Sequence, residues 1–465
     1  MKQTTTQQSL DLTALSKAYT DGRLRPTQLI EEIHRRIATY PDPNVWISLL
    51  PPESITGQAR RLEALSPAEA AALPLYGIPF AVKDNINVAG HPTTVACPDF
   101  AYTPDKSATV VERLQAAGAL LIGKTNLDQF ATGLVGVRSP YGPVSNPFDP
   151  AYISGGSSSG SAVAVSVGLV SFALGTDTAG SGRIPAGYTN TIGLKPTRGL
   201  ISAAGVFPAC RTLDCVSIFA LTVKDAAELL RVCEGFDPAD AYSRARISGA
   251  PADSLRYGVP RIDQLEFFGN GEYAQLYGEG LALLDEMGGQ RVEIDFAPLL
   301  AVANLLYEGP WVAERYAAVK EFFDTQPGSF LPVIRSILEK AQNYSAADTF
   351  AAFYRLEEMR RELAPLWNSI DILALPTAGT IYTIAEVQSD PLRLNSNLGR
   401  YTNFANLLDL CALALPNGFQ PNGLPAGLTL LAPAFAEERL QTLGQEFQQR
   451  RGLPLGATGL HTTNF

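Results

Sequence analysis

The segment ISGGSSSGSAVAVSVGLVSFALGTDTAGSGRIPAG, residues 153–187, restricts the fold of this chain more than any other, because two serine- and glycine-rich clusters flank a hydrophobic stretch within it. A free linker of that composition rarely interrupts a core pattern twice in so short a span, so both clusters are expected at the rim of a core. Glycine-rich turns let backbone N–H groups converge on one point, and a helix that starts beyond such a turn adds positive potential there. A place of this kind binds an anion or stabilises an oxyanion. Phosphate is the first alternative, but the chain has no GxxxxGK[ST], and no GxGxxG follows a strand with an acidic partner at the required distance. Serine, not lysine, fills these loops.

From about residue 74 short apolar runs such as YGIPFAVK and LLIGKTN alternate with helical stretches such as VVERLQAAGA. That alternation predicts an α/β fold with a mixed, largely parallel central sheet covered by helices on both faces. Residues 10–40 read as two amphipathic helices separated by Gly22, the second with Leu29, Ile30, Ile33 and Ile37 inward and Glu31, Glu32, Arg35 and Arg36 outward. Between about 235 and 400 the chain is more helical and more charged, with single helices expected over LYGEGLALLDEMGG, NLLYEGPWVAERYAAVKEFF and TFAAFYRLEEMRRELAPLW. DILALPTA and LPAGLTLLAP return to the sheet, and AEERLQTLGQEFQQR closes it with a helix. The expected organisation is a helical segment over 1–65, a core over 66–235, a helical substrate-side lobe over 236–400, a return to the core sheet over 401–455 and a tail over 456–465.

With 465 residues, 46% of them hydrophobic, the chain can bury a large core, and its net charge of −10 disfavours nucleic acid and anionic membrane as partners. Small-molecule substrates are the default expectation. MKQTTTQQSLDL has no apolar signal core and no run is long enough to span a bilayer, which predicts a cytoplasmic protein. Five scattered cysteines, Cys97, Cys210, Cys215, Cys233 and Cys411, fit reduced, buried thiols, and the close pair Cys210 and Cys215 has no histidine at zinc-like spacing. No metal and no organic cofactor is expected. The three histidines, His34, His91 and His461, lie far apart and are poorly placed to serve a Ser-His-Asp site.

A serine nucleophile without histidine needs another base, and a desolvated lysine can supply it. Lys83 ends the apolar run GIPFAVK, so its stem belongs on a buried strand. Bringing a lysine from about 10.4 to near neutrality corresponds to roughly 4 kcal/mol. Taken from the residues alone, Lys83 could equally snorkel to the surface at the strand end.

PLYGIPFAVKDNINVAGHPTT, AGALLIGKTNLDQFA, GGSSSGSAVAV, GTDTAGSGRIPAG, TIGLKPTRGLIS and GLPAGLTLLAPAFAEERL together resemble the blocks of the amidase signature family, in that family's order. The resemblance covers most of 70–235 and returns near 425. It implies a Ser-Ser-Lys triad in which Ser181 is the nucleophile, Ser157 the bridging serine on a cis peptide bond, and Lys83 the base. It further implies an oxyanion hole from the backbone N–H groups of Thr178, Ala179, Gly180 and Ser181, a structural role for Arg183, and a homodimer. Ser158 and Asp177 are the expected supports of the bridging serine. Gly182 departs from the family pattern, which usually has a β-branched residue there.

After DQFATG the chain reads LVGVRSPYG, where the amidase component of glutamine-dependent amidotransferases usually carries a serine/threonine/glutamate/asparagine stretch. Together with NLLYEGPWVAERYAAV this resembles the allophanate-cleaving branch of the family. In that resemblance Tyr307 and Arg315 hold the substrate carboxylate and Gly133 offers a main-chain contact. Arginine can grip a carboxylate through two parallel hydrogen bonds. Without the resemblance, Arg315 reads as a solvated helix charge beside Glu314. The resemblance implies an amidase part alone, releasing ammonia and N-carboxycarbamate; the amidase component of a glutamine-dependent amidotransferase, or an amidase for another small carboxylated amide, is the alternative.

Overall fold

The computed structural model describes residues 8–247 and 255–461, so residues 1–7 of the N-terminal segment and 462–465 of the expected tail lie outside the described residues. Among the described residues eleven strands form one sheet: β1 (Trp46–Leu49), β2 (Pro79–Lys83), β3 (Leu120–Thr125), β4 (Phe172–Asp177), β5 (Ile192–Lys195), β6 (Cys215–Ala220), β7 (Arg256–Pro260), β8 (Gln290–Ile294), β9 (Ile372–Pro376), β10 (Cys411–Phe419) and β11 (Pro425–Ala432). Their order is β1-β3-β2-β4-β6-β5-β10-β11-β9-β7-β8. Every residue of β2, β3, β4, β5, β6, β9 and β11 is buried. Successive residues on a strand face opposite sides, so that pattern requires cover on both faces of the sheet.

The sheet is mixed, as expected, but less parallel than expected. Parallel pairing is confined to β2 with β3 and β4 and to β7 with β8 and β9, while the other six pairings are antiparallel. The reason is local in the centre: β10 and β11 are joined by the short turn around Gly423, where Gln420 N–H donates to Leu424 and Gly423 N–H donates to Gln420. A connection that short reverses the chain direction.

The expected helical lobe over 236–400 is also part of the sheet, since β7, β8 and β9 all lie in it. NLLYEGPWVAERYAAVKEFF is two helices, Ala297–Glu308 and Trp311–Thr325, rather than one. Pro310 disfavours a helical residue before it, and Gly309 is extended at φ −117 and ψ −176. This break separates Tyr307 from Arg315. Aromatic packing ties the second helix to the core: Phe322 lies 5.1 Å from Phe100, and Phe330, just beyond the helix, stacks 4.8 Å from Phe130.

At the N-terminus the two expected helices are Leu12–Thr20 and Pro26–Thr39, with Gly22 between them in the left-handed region at φ +68. Arg36 points inward rather than outward. It is 8% exposed, pairs with Glu32 at 2.8 Å and donates to the Gly168 carbonyl at 3.0 Å, partners invisible to a helical periodicity. The described part of the expected tail packs against the core too: the Gly456 carbonyl accepts the Asn190 amide at 3.0 Å, and the Ala457 N–H donates to the Ser166 carbonyl at 2.7 Å. Among the described residues no helix is long and apolar enough to cross a membrane.

Candidate active site

Strands β2 and β4 are parallel neighbours, so their C-terminal ends share one edge of the sheet, where α/β folds commonly place their sites. Lys83 is the last residue of β2, and the turn carrying Ser181 follows β4. Ser157 lies just ahead of the short helix Ser159–Ser166. The three residues meet at that edge. Lys83 Nζ is 2.8 Å from Ser157 Oγ and 2.8 Å from Thr176 Oγ1, and Ser157 Oγ donates to Ser181 Oγ over 3.0 Å. Lys83 is fully buried and does not snorkel. Desolvation brings its amine down to about 7, against the opposing pull of the Asp128, Asp214 and Asp177 carboxylates. None of the three histidines enters this chain of hydrogen bonds.

The peptide bond between Gly156 and Ser157 is cis. Its surroundings are tight: a Cβ on Gly156 would stand 2.2 Å from Asp128 Oδ2 and 2.5 Å from the Gly136 nitrogen. Asp128 is a support that the sequence pattern did not single out. Its backbone N–H donates to the Ser157 carbonyl at 3.1 Å, and its carboxylate accepts the N–H groups of Val135, Gly136 and Arg138. Ser158, which follows Ser157, donates to the Thr176 carbonyl at 3.1 Å.

Asp177 supports the turn that carries Ser181 rather than Ser157. Its carboxylate pairs with Arg183 through both oxygens at 2.9 Å and accepts the N–H groups of Gly180 at 2.9 Å and Gly182 at 3.0 Å. Burial alone would raise this carboxyl, and the Arg183 guanidinium outweighs it, holding the group below the ordinary carboxylate range. One expected oxyanion donor is therefore already engaged. The Gly180 N–H points at Asp177, whereas the N–H groups of Thr178, Ala179 and Ser181 have no partner among the described residues. Gly182 has a simple steric cause: a Cβ there would lie 2.6 Å from Ser217 Cβ on β6, so Ser217 fills the space a larger residue would need.

Arg315 is 3% exposed, which overturns its reading as a solvated helix charge. Its Nη1 donates to Thr132 Oγ1 at 3.2 Å and more weakly to the Ala131 carbonyl at 3.5 Å, while Nε and Nη2 are buried with no partner among the described residues. Its Cζ lies 5.4 Å from the centre of the Tyr307 ring, so the two expected clamp residues do meet across the helix break. Thr132 adjoins Gly133, whose carbonyl is 3.4 Å from Ser181 Oγ. Arg315 and Ser181 therefore both contact the segment Ala131–Gly133.

Asp214 likewise escaped the sequence pattern. Thr178 Oγ1 donates to it at 2.5 Å, and desolvation pushes its carboxyl up to about 6 against that bond and those from Cys210 and Ala209. All five cysteines are free and buried. Cys210 lies beside the clamp helix, 3.7 Å from the Trp311 carbonyl, whereas Cys97 faces the Ser329 carbonyl at 3.5 Å. Among the described residues no three His, Cys, Asp or Glu side chains are grouped so as to hold a metal ion.

The amidase family model matches residues 28–441. The chain belongs to the amidase family. This amidase is 45% identical over 428 residues to urea amidolyase of Saccharomyces cerevisiae, an alignment covering 91% of this chain and 23% of that protein. It thus spans about a quarter of that relative's length. It is 34% identical to a glutamyl-tRNA(Gln) amidotransferase component of Chloroflexus aggregans, over 95% of this chain and 96% of that one. Among solved structures, the Kluyveromyces lactis allophanate hydrolase superposes with a TM-score of 0.91 at 42% identity, covering 97% of this amidase and 75% of that chain.

Proposed function

We propose that this amidase hydrolyses the terminal C–N bond of allophanate through an acyl-enzyme on Ser181. The observation that carries the substrate choice is Arg315, a buried guanidinium with two unpartnered nitrogens beside Tyr307, tied through Thr132 to the residue that faces Ser181. A buried, incompletely paired cation costs several kcal/mol, a cost that an incoming carboxylate offsets through two parallel hydrogen bonds. Urea and biuret lack the carboxylate and would leave that cost in place.

In the proposed reaction neutral Lys83 accepts the proton of Ser157, Ser157 accepts that of Ser181, and Ser181 Oγ attacks the amide carbonyl. The N–H groups of Thr178, Ala179 and Ser181 receive the developing oxyanion, each such donor being typically worth about 3–4 kcal/mol. The proton returns to the leaving nitrogen, which departs as ammonia. Water then attacks the acyl-enzyme, restoring Ser181 and releasing N-carboxycarbamate, so allophanate and one water become ammonia and N-carboxycarbamate.

Glutamine also presents a primary amide and a carboxylate, and the amidotransferase relative keeps that second reading in view. Ammonia release from allophanate, urea, biuret, malonamide and glutamine separates the two. Preference for allophanate, abolished in Ser181→Ala and weakened in Arg315→Ala, is the expected result. Preference for glutamine, or indifference to Arg315→Ala, would overturn the substrate assignment.

A further inference from the structure

The turn Ala209–Asp214 has no part in the steps above, yet it is bonded to both ends of the site. At the oxyanion end the Thr178 hydroxyl donates to Asp214, whose carboxylate also accepts the N–H of Ala209 at 2.8 Å and that of Cys210 at 3.1 Å. That carboxylate closes the turn on itself and pins it to the head of the nucleophile turn. At the clamp end the Glu314 carboxylate accepts both the N–H and the hydroxyl of Thr212 at 2.7 Å. Glu314 immediately precedes Arg315. Both attachments use an ionisable side chain against short-range donors, the strong class of hydrogen bond, and both join parts of the chain that are distant in sequence.

We propose that the turn Ala209–Asp214 is a brace that sets the separation between the Arg315 clamp and the oxyanion turn, with Glu314 and Asp214 as its positioning residues. The inference rests on the carboxylate-clamp reading of Arg315. A small substrate held at its carboxylate can present its amide to Ser181 only if that separation is fixed, because a displacement of about 1 Å can cost on the order of 100-fold in rate. Glu314 anchors the helix that carries the clamp, so it acts on substrate binding. Asp214 anchors Thr178, so it acts on the rate of the chemical step.

The test is a double-mutant cycle on ammonia release, read as KM and kcat for allophanate. Glu314→Ala is expected to raise KM about tenfold and change kcat far less, while Glu314→Gln, which keeps an acceptor for the Thr212 N–H, restores most of the loss. Asp214→Asn is expected to lower kcat about tenfold with a smaller change in KM. In an Arg315→Ala background Glu314→Ala should add nothing. A Glu314→Ala effect that simply multiplies the Arg315→Ala effect, or that falls on kcat alone, overturns the brace. Thr212→Val removes only the hydroxyl contact and must raise KM in the same direction, which keeps the test decisive if Glu314→Ala does not fold. If Arg315→Ala itself leaves the KM for allophanate unchanged, the clamp reading fails first. If Arg315→Ala raises it and neither Glu314→Ala nor Thr212→Val does, the brace alone is wrong.

Discussion

The two ends of this site treat their polar groups in opposite ways. Around Lys83 the amine has Ser157 and Thr176 as partners, and Ser157 reaches Ser181. Around Arg315, by contrast, Nε and Nη2 are buried with no partner among the described residues. Neighbouring Arg138 shares this pattern, spending Nη1 and Nη2 on the carbonyls of Thr132 and Pro391 while its Nε has no partner. A buried polar group without a partner is costly, so the contrast shows where the protein supplies its own reaction partners and where it leaves them for a ligand. In the proposed reaction the first end serves proton transfer and the second recognition.

The contrast breaks most readily at Lys83. Lys83→Met should lower kcat at least about 1,000-fold with little change in KM, since it removes the base and leaves the clamp. It should also stabilise the fold. A lysine lowered to about 7 in the native protein and near 10.4 unfolded leaves the unfolded chain holding the extra proton between those values, so wild-type stability rises with pH across that window. Below about 7 the full cost is present. Urea unfolding should therefore find Lys83→Met more stable by roughly 2–4 kcal/mol at pH 6, with the gain shrinking towards pH 10. For the same reason wild-type kcat/KM should climb with pH through about 7, the range in which the base becomes neutral. A Lys83→Met protein no more stable than wild type at pH 6 would mean that burial does not lower the amine.

A smaller effect sharpens the comparison from the satisfied end. Arg183→Ala leaves Asp177 buried and unpaired, which should cost about 3–5 kcal/mol of stability and disorder the turn that bears Ser181. Arg315→Ala should cost far less in denaturant unfolding, because Arg315 has no ion pair among the described residues to break.

Much of this was legible in the sequence, and the exceptions have physical causes. Lys83, Ser157 and Ser181 were singled out by the resemblance to the amidase signature family; the residues alone offered a serine- and glycine-rich place for an anion or oxyanion and a lysine that could equally snorkel to the surface. Thr176, Asp128 and Asp214 were not. Each acts through a partner brought close by the sheet or by a loop, and a lone Thr or Asp at a strand or turn end is also an ordinary capping residue. The engagement of Gly180 by Asp177 is likewise a matter of one hydrogen bond in a turn. The helix break before Trp311 did have a signal, Gly309 followed by Pro310, but the apolar periodicity on both sides bridged it. Strands β7 and β8 were missed because they lie among long helices, and β8 exposes Gln290, Arg291 and Glu293, so it lacks a buried-strand pattern. For Arg315 sequence could offer a charge on a helix but not its burial, and burial is what gives the residue its meaning.

The most direct test of the division between the two ends is calorimetric binding of allophanate to the inactive Ser181→Ala protein, with and without Arg315→Ala. The account predicts that Ser181→Ala binds allophanate and that adding Arg315→Ala weakens binding about 100-fold, while neither protein binds urea appreciably. Equal affinity for allophanate in the two proteins would contradict it.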